Sequence, residues 1–262
     1  MSSEEVAELK AIVESLKKQV EKVNDEAEIK KLHFKYGYYL DKCLYQEVVD
    51  LYADDPGTYV EFLGGRYLTK EGVHRLYIGR FASRFVASRN GPVHGFLLDH
   101  AQMQDIITVI PSTSPDIPTT AKARFRALMS AGTHQSIAQT HPRGLVQWWE
   151  GGVYENEYIK ENGLWKIWKL RYFPFWHAEY NRGWSLKEEG EFVPPKARTR
   201  GEGDEVGPDE LVEGFMLWPD TRVVPFHYPH PVTGEFVKED DLRAPAWNTD
   251  VKLSEPALKL GE

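Results

Sequence analysis

Apolar residues recur at helical spacing along the first quarter of the chain and at strand spacing through its middle. Ser2 followed by Glu5 suits a capping box, and Val6, Leu9, Val13, Leu16, Val20 and Val23 follow at alternating three- and four-residue steps among Lys and Glu. That pattern predicts an amphipathic helix with a narrow seam over residues 1–24. It either pairs with copies of itself or lies on its own subunit. A second helical segment, EIKKLHFKYGYYLDKCLYQEVVDLYADD, sets Ile29, Leu32, Tyr36 and Leu40 on one stripe and ends near Asp54-Asp55-Pro56-Gly57, a strong turn signal.

TYVEFL then reads as a strand and TKEGVHRLYIGRFASRF as a helix. The run GPVHGFLLDHAQMQDIITV, residues 91–109, reads as a strand on which His94 and His100 share a face, because side chains alternate with a period of two. Three further strands follow in TAKARFRALMS, GLVQWWEGGVYENEYIKE and LWKIWKLRYFPFW. Helices first and antiparallel strands last predict an α+β fold over residues 25–180. The last strand carries large apolar residues on both parities: Trp165, Ile167 and Phe173 on one, Trp168, Leu170 and Tyr172 on the other. Helices are therefore expected on one face of the sheet and another subunit on the other. Residues 181–262 are Pro-rich. EGEFVPPKARTRGEGDEVGPDE reads as a solvated linker, while FMLWPDTRVVPFHYPHPVTGEF is apolar enough to wrap over its own domain or a neighbour.

A net charge of −8 and the lack of a basic stretch interleaved with aromatics argue against nucleic acid as a partner. The single cysteine, Cys43, rules out an internal disulfide framework and fits a reducing compartment. No stretch approaches the roughly 20 apolar residues of a membrane span, and no signal pattern opens the chain, so no membrane partner and a cytoplasmic location are expected. Gly-rich phosphate loops, a dinucleotide fingerprint, Gly-x-Ser-x-Gly and His-Glu-x-x-His are all absent. His227 and His230 form a weak metal pair without a third ligand. Acid–base chemistry remains. Asp41 falls at the end of a Tyr-rich helix where an ionised carboxylate needs a partner, the alternative being simple exposure at the helix end. Gly37 and Tyr38 flank it one turn back, whereas Tyr36 is rotated well away on the wheel.

The segments YGYYLDKCLYQEVVDLYADD, VEFLGGRYLTKEGVHRLY, HAQMQDIITV with TAKARFRA, and YENEYIKENGLWKI resemble the SnoaL-like branch of the nuclear transport factor 2-like superfamily over roughly residues 25–180. The resemblance implies a conical α+β barrel, a curved antiparallel sheet wrapping helices around a deep pocket. It also implies a homo-oligomer, with a trimer favoured over a dimer, and acid–base catalysis by Asp, His and Tyr with no metal or organic cofactor, as in scytalone dehydratase and bile-acid 7α-dehydratase. Tyr36 and Asp41 match the Tyr/Asp spacing of the latter, and His100 or His94 matches the pocket histidine. The longer chain, QWWEGGVYENEY and RYFPFWHAEYNRGW look more specifically like the sphingomonad diarylpropane γ-formaldehyde lyases. That likeness implies an aromatic small-molecule substrate, a 1,2-diarylpropane-1,3-diol, cleaved to a stilbene and formaldehyde through a quinone methide. On this reading Asp41, His100, Tyr36 and His94 are the catalytic candidates, and Tyr38, Tyr59, Arg124, Arg126, Tyr154, Tyr172 and Trp176 the substrate-binding ones. A dehydratase, an isomerase or cyclase, and a noncatalytic aromatic-binding module are the alternatives.

Overall fold

The structure is a computed structural model that describes residues 2–141, 144–185, 198–212, 218–219 and 223–242. Helix α1 runs unbroken over Ser3–Asp41. Its start is the capping box: Ser2 N donates to Glu5 Oε2 at 2.7 Å and Glu5 N to Ser2 Oγ at 3.2 Å. No Gly or Pro interrupts it before Gly37, so the two helical segments read from the sequence fuse into one. Residue 24 marks instead where the helix meets the body. Asp25 is its first buried residue, accepting from Lys160 Nζ at 2.7 Å and Trp165 Nε1 at 2.8 Å. At the other end Cys43 adopts a left-handed φ of 52°, which turns the chain into α2, Tyr45–Asp50. The second predicted helix is therefore divided at its middle.

Strands β1 (Tyr59–Phe62), β2 (Gly65–Leu68), β3 (Phe96–Ile110), β4 (Thr120–Thr133), β5 (Gln147–Glu161), β6 (Leu164–Glu179) and β7 (Glu210–Leu211) make one curved, unclosed sheet in the order β3-β4-β5-β6-β1-β2-β7. All neighbours pair antiparallel except β1 with β6. Helix α3, Thr69–His74, continues through a π-helical stretch, Arg75–Ala82, and a last turn, Ser83–Phe85. The fold is the expected α+β arrangement, with α1 lying along the concave face of the sheet.

The contact between α1 and that face explains two residues. A Cβ at Gly37 would come within 2.8 Å of Gln102 Cγ, so the glycine permits close approach of helix and sheet. His33, one turn earlier, is fully buried, stacked on Phe125 at 3.7 Å, with Gln102 Oε1 at 3.0 Å from Nε2 and Tyr158 hydroxyl at 3.1 Å from Nδ1. Burial pushes its pKa down to about 3, so it is a neutral core imidazole with both nitrogens partnered.

Two expectations are corrected. Strand β3 starts at Phe96, because Gly95 takes a φ of 77° and the chain before it turns, which leaves His94 exposed in a loop. Of the segment read as a solvated linker, 189–197 lie outside the described residues, and 198–210 are docked on the body: Arg75 Nε donates to Gly207 carbonyl at 3.0 Å, and Leu68 N donates to Asp209 Oδ2 at 2.8 Å. The apolar segment 215–236 is described only at 218–219 and from 223 onward, and there it lies on its own sheet, one of the two places expected for it, with Arg124 Nη2 donating to the Val224 and Pro225 carbonyls at 2.8 Å. The chain itself thus covers part of the face where a second subunit was expected. Leu97, Leu128 and Trp149 remain exposed on that face.

Candidate active site

Alternation along β3 to β6 decides which residues reach the concave face, and a bulge in β6 changes the answer. In register across the sheet, His100 pairs with Met129, Met129 with Glu150, and Glu150 with His177. These four side chains form one row on the wall of a cavity of about 480 Å³, which is also lined by Tyr36, Tyr154, Tyr172 and Trp148. With neighbouring strands about 4.8 Å apart, the His100 and Glu150 backbones are separated by roughly 10 Å. Phe62, Tyr77, Phe81 and Phe85 close the opposite side, and Arg80 and Arg84 add cationic groups. A mostly apolar chamber with a few convergent polar groups is the usual form of a small-molecule site.

At one end of the row Asp41 and His100 form a pair, each with only 10% of its side chain exposed. Asp41 Oδ1 accepts from His100 Nδ1 at 2.6 Å and from the His100 backbone N–H at 3.0 Å. An ionised carboxylate only accepts, so Nδ1 carries the proton and Nε2 is left for a ligand in the cavity. Asp41 reaches this position because the helix ends there, one turn beyond the Gly37 contact. It is buried against its partner rather than exposed at the helix end.

A chain of phenols runs from the cavity into the core: Tyr36 hydroxyl lies 3.0 Å from that of Tyr77, which lies 3.1 Å from that of Tyr52. Burial raises the pKa of all three, holding them as neutral hydroxyls. Tyr154 is likewise raised by burial, and its ring is 4.7 Å from that of Tyr172. Two strands along the row from His100, Tyr172 donates to Glu150 Oε1 at 2.8 Å. Burial and the Glu150 charge both push the Tyr172 phenol up.

Of the residues proposed from the sequence, Tyr36, His100, Tyr154 and Tyr172 line the cavity and Asp41 sits behind His100. The others lie elsewhere. His94 Nε2 is 3.0 Å from Ser136 Oγ in exposed loops. Tyr38 is 75% exposed, on the side of α1 away from the sheet. Tyr59 has the opposite parity to the lining residues Val60 and Phe62, and its ring stacks under Arg66 at 4.9 Å. Arg124 and Arg126 alternate with the buried Phe125 and Ala127 and so face outward; Arg126 is exposed and Arg124 pairs with Glu155 at 2.6 Å.

Trp176 is moved by a bulge. Gly151 pairs with Trp176 but Gly152 with Pro174, so one extra β6 residue reverses the alternation beyond Tyr172. Trp176 then packs over Gly151, where a Cβ would lie 2.5 Å from its ring, and His177 takes the cavity face instead. Glu150 was missed although it shares parity with Tyr154 in the same strand, a signal present in the sequence. His177 and the lining side of the π-helical stretch had no such signal. Among the described residues, no three His, Cys, Asp or Glu side chains are grouped to hold a metal ion, and no helix is long and apolar enough to cross a membrane.

Among solved structures, the chain is similar to a hexachlorocyclohexane dehydrochlorinase, LinA-type3, from Novosphingobium barchaimii LL02, with 18% identity over 68% of this chain and 99% of that one and a TM-score of 0.45. A Novosphingobium aromaticivorans protein bearing the scytalone dehydratase name gives 16% identity over 64% and 97% of the two chains, with a TM-score of 0.45. An NTF2-like protein of cystatin-like fold from the same species gives 15% over 60% and 86%, with a TM-score of 0.41. No curated protein matches the chain in sequence. The model of the SnoaL-like domain matches residues 21–171, which span α1 from just before its first buried residue through the core of β6. The chain belongs to the SnoaL-like domain family.

Proposed function

We propose that this chain is a cofactor-independent lyase that releases formaldehyde from a lignin-derived 1,2-diarylpropane-1,3-diol bearing a free para-phenol. The observation that supports this best is the single row of His100 and Glu150 along an aromatic cavity, with Asp41 fixing the outer nitrogen of His100. One end of the row offers an imidazole to adjacent hydroxyls. Two strands along, Glu150 offers a carboxylate to a phenol roughly 10 Å away.

The chemistry runs in two steps. Protonated His100, its charge balanced by Asp41, gives the Nε2 proton to the benzylic hydroxyl as the carbon–oxygen bond breaks. The Glu150 end takes the phenol proton, and water and a quinone methide result. Neutral Nε2 then accepts the proton of the terminal hydroxyl. The bond to the terminal carbon breaks, formaldehyde leaves, and the released electron pair forms the stilbene double bond while the ring oxygen regains its negative charge and then its proton. Atoms balance as diol to stilbene, formaldehyde and water, with no external oxidant. Because the two hydroxyls are 1,3-related, one histidine serves both and finishes as it began. Tyr36, a neutral donor, stabilises charge on the reacting oxygens, and the Tyr154 and Tyr172 rings hold the aryl groups. Asp41 acts through His100, since its near oxygen is already engaged there.

Incubating the purified protein with such a diol, without added cofactor, tests the proposal. Equal yields of formaldehyde and stilbene are expected. Loss of water alone identifies a dehydratase using the same groups, and unchanged diol with tight binding identifies a binding module; either result overturns the lyase reading.

A further inference from the structure

The first half of α1 leaves the body of the protein bare. From Ala7 to Asn24 every residue is exposed, including Leu9, Val13, Leu16, Val20 and Val23 at 48%, 48%, 53%, 58% and 64%. Ser3–Asn24 spans roughly 33 Å at 1.5 Å per residue. A continuous apolar seam on this solvated stretch lacks the burial that normally sustains such a helix. Beyond the seam the same helix is anchored by Asp25 and carries Tyr36 and Asp41.

The seam is a heptad pattern with Val6, Val13 and Val20 at the a positions and Leu9, Leu16 and Val23 at d. β-branched residues at a with leucine at d favour two parallel strands. The flanking charges select the same geometry. With the helices parallel and in register, Glu5 faces the partner's Lys10 and Ile12 faces the aliphatic stem of the partner's Lys17, and no like charges meet. Reversing one helix would instead set Lys10 against the partner's Lys17. We infer that the first 24 residues form a parallel, in-register, two-stranded coiled coil with the same helix of a second copy of this chain. The pairing is independent of the proposed activity and places both catalytic bodies at one end of a short rod.

The test uses the full chain. The Leu9→Lys, Leu16→Lys double variant should halve the particle mass measured by light scattering and reduce the helical circular dichroism signal, with diol turnover per chain unchanged. Leu9→Cys and Val20→Cys should each form a self-disulfide under mild oxidation, since Cys43 is buried and does not compete. A mass unaffected by the double variant overturns the inference. So do disulfides that appear only when the Leu9→Cys and Val20→Cys proteins are mixed, which would mean antiparallel helices, or particles of three copies that fall to one in the double variant.

Discussion

Two histidine–carboxylate pairs sit on opposite faces of the same sheet. On the concave face His100 Nδ1 meets Asp41 at 2.6 Å; on the convex face His227 Nδ1 meets Glu155 at 2.5 Å. The geometries are nearly alike, but their surroundings differ. Among the described residues, Asp41 has no cationic partner besides His100 and the pair opens onto a cavity, whereas Glu155 also binds Arg124 at 2.6 Å and His227 is sealed to 4% side-chain exposure with no partner for Nε2. The first pair can meet a substrate. The second fastens residues 223–228 to the outside of β4 and β5, with Phe226 packed on Arg124 at 4.2 Å. A carboxylate beside an imidazole is therefore not a site by itself; access to the second nitrogen decides.

That contrast can be broken most forcefully at His100. His100→Gln keeps the polar bulk but removes the shuttle, and turnover should fall by about 10³-fold, the middle of the range for general acid–base catalysis. His227→Gln should leave turnover within about twofold, so equal losses in the two variants would erase the distinction. Asp41→Asn should cost on the order of 10²-fold in kcat with little change in KM, because it disturbs the tautomer of His100 rather than substrate contact. A KM effect alone would remove Asp41 from its positioning role.

On the convex face the expected loss is stability. Glu155→Gln leaves Arg124 without its carboxylate at a buried position and should cost about 3 kcal/mol in denaturant unfolding with kcat preserved. The smallest effect concerns His33. Its folded pKa of about 3 lies below the ordinary 6.5, so the unfolded chain takes up the extra proton first and stability falls as pH drops from 6.5 toward 3. His33→Gln should flatten that slope by about 1.4 kcal/mol per pH unit, measured from unfolding between pH 6 and 4. An unchanged slope would mean His33 does not stay neutral in the fold.

The legibility of these features follows the range of the interactions that make them. The capping box, the apolar stripes of α1 and the strand alternation are local, and so the α+β order and the Asp41, His100, Tyr154 and Tyr172 positions were readable from the residues together with the family resemblance. Side assignment failed where one residue changes the parity. Gly95 turns His94 out of β3, and the extra residue opposite Gly151 and Gly152 exchanges Trp176 for His177. Arg124 and Arg126 were assigned by type, though their alternation with Phe125 places them outside. The docking of residues 198–212 could not be inferred from composition, since it depends on Arg75 and Leu68 binding residues 132 and 141 positions away.

The central claim, that the His100 imidazole carries protons for a substrate held in the aromatic cavity, is tested most directly by comparing His100→Gln with the unaltered protein in paired assays. One assay measures formaldehyde released from the diol at saturation, and the other measures stilbene binding by tryptophan fluorescence quenching. The account predicts formaldehyde release lowered at least 100-fold with the stilbene Kd within about threefold. Full release from the variant, or release and binding lost together in a folded protein, would contradict it.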